Sequence, residues 1–104
     1  MKFARTTLIA AGIAGLVMAG PAAADLKLAQ KEGCLGCHSV EKKIVGPAWK
    51  DVAARYKGDA AAEAKLAKKV REGGKGNWGE IVQPANTTTS DADIKTLVKF
   101  VLSL

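Results

Sequence analysis

Apolar and polar positions along this chain repeat with helical rather than strand periods. Over residues 48–56, Trp49, Val52, Ala53 and Tyr56 fall at i, i+3, i+4 and i+7, one face of a helix. Gly46-Pro47 precedes them, and Pro suits a first helical turn. Lys57-Gly58-Asp59 breaks the pattern. Residues 60–72 are strong helix formers with Ala62, Leu66 and Val70 at i+4 spacing, and Gly73-Gly74 stops them. Ser90 reads as an N-cap with Asp93 three residues on. Ile94, Leu97, Val98, Val101 and Leu102 then form a stripe to the C-terminus. A shorter helix is predicted over residues 25–32, with Leu26, Leu28 and Ala29 apolar and Gly33 as its stop. Residues 39–45 read as charged loop. Residues 75–89 show no sustained period and read as one long loop, with no hairpin signal and no strand beyond dipeptides such as Ile81-Val82. The predicted class is all-α: four helices and one long loop.

The N-terminus follows a different logic. Met1 to Arg5 is short and basic, residues 6–20 are uncharged and apolar, and Pro21-Ala22-Ala23-Ala24 supplies a small-residue site of the A-x-A kind. That order is a secretory signal peptide. The apolar run is about 15 residues, short of the ~20 that span a bilayer. The expected domains are 1–24, a cleaved signal peptide, and 25–104, the working domain, located in the periplasm of a Gram-negative source.

Composition sharpens this division. The 104 residues are 48% hydrophobic and carry +6; removing 24 leaves 80, and loss of Lys2 and Arg5 lowers the charge to +4. Mild basicity in an exported protein argues against nucleic acid and for partners with acidic surfaces. Both methionines, Met1 and Met18, leave with the signal, so the mature domain contains none. Eighty residues sit at the edge of what an apolar core can stabilise. A disulfide between the two cysteines, Cys34 and Cys37, would close too small a loop to help much.

Those cysteines stand in Cys34-Leu35-Gly36-Cys37-His38, the C-x-x-C-H pattern of c-type haem attachment. Two thiols three positions apart reach the two vinyl groups on one side of a porphyrin, and the following imidazole then lies beneath the iron. A thioredoxin-like C-x-x-C wants a βαβ setting, which is not predicted here. Zinc wants four ligands, and Cys34, Cys37 and His38 are the chain's only Cys and His residues. One haem c bound through Cys34 and Cys37, with His38 on the metal, is the expected cofactor. It also supplies the apolar mass that a small core lacks.

With this motif in place, the chain resembles the small bacterial class I monohaem cytochromes c of the c-551 type. The features that carry the resemblance are Cys34 to His38, Val45-Gly46-Pro47-Ala48 with Lys50 to Ala54, the Gly-rich stretch from Gly73 to Gly79 with Trp78, and Pro84 with Asn86. It covers residues 25–104. The resemblance implies a class I fold wrapped around the haem, with the Pro47 carbonyl accepting from the His38 ring. It implies that Trp78 and a basic residue near Lys69 or Arg71 hold a haem propionate. It also implies that Gly33 lets the first and last helices cross closely near Phe100. For Trp49, Tyr56 and Phe100, ordinary packing is expected.

One position departs from the family pattern. A methionine is expected just before the Pro of the long loop, as the distal iron ligand; here Gln83 precedes Pro84. Three outcomes follow. Gln83 binds iron through its amide oxygen, another donor such as Lys or Asn does so, or the site is open or water-filled. A harder oxygen donor favours ferric iron and lowers the potential. Asn86, whose family counterpart orients the distal ligand, is expected to do the same for Gln83.

The expected function is periplasmic electron transfer through Fe(III)/Fe(II) by a monomer with no membrane span. Lys42, Lys43, Lys50 and Lys75 are candidates to steer redox partners. The alternative is a haem protein binding NO or CO at a displaceable distal position. Enzymatic chemistry such as peroxidation is not expected, because the sole imidazole is spent below the iron.

Overall fold

The computed structural model describes residues 20–104. The basic start and nearly all of the apolar run of the predicted leader lie outside the described residues. Helix α1 spans Pro21–Lys31, α2 Trp49–Arg55, α3 Ala62–Glu72 and α4 Asp91–Leu102. These are the four expected helices, and the fold is mainly helical. α1 begins before the predicted cleavage point, with Pro21 at the first helical position. Its C-terminal end is closed by Gly33, whose N–H donates to Gln30 O.

Two sequence expectations are corrected. First, residues 75–89 are not one irregular loop. Strands β1 (Gly74–Gly76) and β2 (Gly79–Gln83) pair antiparallel, Gly74 opposite Gln83 and Gly76 opposite Gly79, around Asn77-Trp78. The hairpin escaped pattern reading because three of its eight strand residues are glycines at positive φ and nearly all are exposed, so no apolar face alternates. Second, Gly33 does not serve a close helix crossing. A Cβ there would meet nothing within 4 Å, and its φ of +79° is the requirement. The residue at the α1–α4 contact is Ala29, fully buried in the cluster with Trp49, Val52, Leu97, Phe100 and Val101.

α4 is the spine of this cluster. Ser90 Oγ accepts from Asp93 N–H, so the predicted N-cap is formed. Ile94, Leu97, Val98, Phe100 and Val101 are buried along one face. Among the described residues no large side chain is wholly shielded from solvent. The inner faces of α2, α3 and α4 instead border a cleft.

Candidate functional site

A cavity of about 730 Å³ lies between the helices and the hairpin. Its apolar wall includes Val52, Leu66, Val70, Ile94, Leu97, Val98 and Val101. Cys34, Cys37, His38, Pro47, Trp78, Gln83 and Asn86 all line it. Every residue expected to hold the cofactor therefore borders one space.

The cysteine segment is shaped by local hydrogen bonds. Gly33 is followed by a 3-10 turn over Cys34–Gly36, and Cys37 N–H and His38 N–H both donate to Cys34 O. The chain from Ser39 to Pro47 folds back on this turn through Trp49 N–H to Ser39 O, Lys50 N–H to Val40 O and Gly46 N–H to Cys37 O. That return places the Pro47 carbonyl 2.9 Å from His38 Nδ1. A carbonyl only accepts, so Nδ1 carries the proton and the Nε2 lone pair of the neutral ring is available to a metal. Trp49 stacks on the imidazole, with centroids 5.6 Å apart and planes at 23°, and meets Phe100 edge-on. Packing was the expectation for Trp49; contact with the candidate ligand ring is an added role. The two thiols are unpaired and half-buried. Burial, and then the Glu32 charge, pushes the Cys34 thiol up from its ordinary value.

Gln83 ends β2, half-buried, with its backbone paired to Gly74. Gly73 presses on this end: a Cβ there would lie 2.4 Å from Gln83 O and 2.6 Å from Ala85 N. The side chain is thus carried by a paired strand rather than by a solvated loop. Asn86 is arranged otherwise than expected. Its Oδ1 accepts from Thr88 N–H and Thr89 N–H, and its Nδ2 donates to Thr89 Oγ1. Among the described residues it makes no hydrogen bond to Gln83; its amide oxygen and one of its two amide N–H groups fold the turn that follows.

Trp78 sits at the hairpin tip with the Arg55 guanidinium 4.5 Å above its ring, and Arg55 also donates to the Asn77 carbonyl. Of the two basic candidates, Lys69 lines the cavity. Arg71 does not; it turns toward Asn86 and Thr89. Lys43 and Lys75 lie at the cavity wall; Lys75 also pairs with Glu80, and Lys50 pairs with Glu41.

Apolar walls, two thiols, a metal-ready imidazole and a volume within the range of cofactor sites fit a covalently held haem. Comparisons with known proteins point the same way. A family model described as "Cytochrome c" matches residues 25–104. Cytochrome c-551 of Allochromatium vinosum is 57% identical over 86% of this chain and 95% of its own length. Cytochrome c-551 of Pseudomonas aeruginosa is 44% identical over 97% and 95%. The crystal structure of wild-type Nitrosomonas europaea cytochrome c552 superposes with a TM-score of 0.74 at 47% identity, covering 76% of this chain and 98% of that one.

Proposed function

Because the chain belongs to the cytochrome c family, as a class I monohaem electron-transfer protein of the c-551/c-552 type, we propose that it is a periplasmic carrier in which His38 and Gln83 would hold the iron. The family's cofactor, one haem c, supplies the one-electron Fe(III)/Fe(II) couple. In this reading Cys34 and Cys37 form the thioether links and His38 Nε2 binds the metal. The Pro47 carbonyl holds the ring in the required tautomer and raises its basicity. Trp78 and Lys69, which line the cavity, would hold a propionate, and Arg55 holds the Trp78 ring in place.

The observation that carries this proposal is the shared cavity. His38, with Nδ1 bonded to Pro47 O, and Gln83, at the end of a paired strand, line the same space. An amide oxygen at Gln83 is harder than a thioether and favours ferric iron, so the potential lies below that of a methionine-ligated protein of the same fold. The apolar wall excludes water, which keeps reorganisation small during transfer.

Export follows from the leader, with cleavage after Ala24 exposing Asp25 at the new N-terminus. No helix among the described residues is long and apolar enough to cross a membrane. Lys42 and Lys43 are exposed and unpaired among the described residues, suiting a monomer that meets partners with acidic surfaces. The only histidine is bonded to Pro47, and membership of a family of electron carriers supports a carrier role. Family membership favours that role over NO or CO binding.

Two substitutions test the ligand. Gln83→Met raises the potential and adds a sulfur–iron charge-transfer band. Gln83→Ala converts the ferric spectrum to that of a water-bound or five-coordinate haem. An unaltered spectrum and potential in Gln83→Ala removes Gln83 as the ligand.

A further inference from the structure

Beyond the cavity, the most connected polar cluster in the described residues surrounds Arg71, in the last turn of α3. Its Nη1 donates to Asn86 O at 2.8 Å and its Nη2 to Thr89 O at 2.7 Å. Both acceptors belong to the irregular segment that follows Gln83, where no strand partner satisfies a carbonyl. Asn86 N–H completes the attachment by donating to Val70 O at 3.0 Å. Thr89, 3% exposed, is the one buried polar residue described, and its hydroxyl donates to Glu32 Oε2 at 2.8 Å. The segment leaving Gln83 is therefore tied to α3 mainly by one guanidinium and to the end of α1 by one hydroxyl.

We propose that Arg71 is a positioning residue, a clasp that keeps the segment after Gln83 closed and so controls how readily a small exogenous ligand enters the cavity from that side. The inference rests on the haem reading above, but the clasp itself is a property of the polypeptide. A planar fork serves two backbone carbonyls at once; a lysine ammonium is a single charge on a flexible stem and does not reproduce that span. Arg71 Nη2 also meets Asp91 Oδ1 at 2.6 Å, but that carboxylate is 97% exposed, and exposed pairs contribute little. Arg71 does not line the cavity. Its influence therefore runs through the loop rather than through direct contact with a propionate.

The test uses the holoprotein and the variants Arg71→Gln, Arg71→Lys and Asp91→Asn, each first checked for unchanged helical circular dichroism. Two readouts are taken: amide hydrogen exchange at Asn86 and Thr89, and the association rate of imidazole with the ferric protein. Both Arg71 variants should accelerate both readouts by about tenfold, the factor of one charge-assisted hydrogen bond. Asp91→Asn should change neither by more than about twofold. Unchanged exchange in Arg71→Gln overturns the clasp. Faster exchange with unaltered imidazole association overturns its control of entry, and equal effects from Asp91→Asn assign the hold to the ion pair instead. Failure of Gln83 as ligand is read separately, from the Gln83→Ala spectrum, and leaves the exchange prediction standing.

Discussion

Gly46 and His38 are packed so closely that no side chain fits between them: a Cβ on Gly46 would sit 2.5 Å from His38 Cε1 and 2.9 Å from Nδ1. Gly46 N–H also donates to Cys37 O at 2.7 Å, so the backbone beside the ring is fixed from within the cysteine segment. Gly46→Ala must displace either the imidazole or the 39–47 return. We expect a loss of about 1–3 kcal/mol in denaturant unfolding of the holoprotein, the usual cost of overpacking. The ferric electron paramagnetic resonance signal should also change as the ring reorients.

Gly73 plays the corresponding part on the Gln83 side. Its φ of +70° with ψ of −157° is open essentially only to glycine, and a Cβ would strike Gln83 O. Gly73→Ala is expected to cost about 1–3 kcal/mol from the backbone alone. If Gln83 is the ligand, it also alters the ferric spectrum. Gly58→Ala, where a Cβ meets nothing within 4 Å, shares the positive φ and lies outside the cavity wall, so it should lower stability without touching the spectrum.

Phe100 is 5% exposed and meets Trp49 edge-on at 6.1 Å, and Trp49 in turn stacks on His38. Phe100→Ala should destabilise by about 3–5 kcal/mol, measured by chemical denaturation. The cysteines, His38 and Gln83 are untouched by it, so the holoprotein should retain its ferric spectrum under native conditions.

Asp59 accepts from Ala61 N–H and from Lys65 Nζ at the start of α3. The Lys65 hydrogen bond, followed by that of Ala61, holds its carboxyl below the ordinary value, while Asp59 raises the Lys65 ammonium. A depressed acid stabilises the fold above its unfolded pKa and loses that contribution as pH falls through the folded one. A raised amine stabilises below its unfolded pKa and loses it as pH rises through the folded one. The melting-temperature advantage over Asp59→Asn should therefore be complete at neutral pH and vanish on acidification below the ordinary aspartate range. Both groups are exposed, so added salt should shrink it.

Much of this architecture is legible in the sequence because its signals are local. The stripe of α4 and the Ser90 cap are short-range patterns, and Cys34, Cys37 and His38 are nearly contiguous. The Pro47 contact became legible only through the family resemblance, since nothing in the dipeptide says where its carbonyl points. The hairpin was missed because glycines replace the alternating side chains that mark strands. Trp49 on His38, Arg55 on Trp78 and Arg71 on Asn86 and Thr89 were missed for another reason. Each joins residues 11 to 23 positions apart, and for Arg71 the acceptors are backbone oxygens of an irregular segment. Asn86 shows the converse: position suggests a partner in Gln83, while its hydrogen bonds among the described residues go to Thr88 and Thr89 and leave one amide N–H free of them.

The central claim is a porphyrin joined to both cysteines of an exported 80-residue chain. Intact mass spectrometry of the denatured protein, purified from a host that matures c-type cytochromes, tests it most directly. The account predicts one species beginning at Asp25 and heavier than the polypeptide by a single haem, with Cys34→Ala and Cys37→Ala each breaking one link. A colourless product with the mass of the bare polypeptide would contradict it.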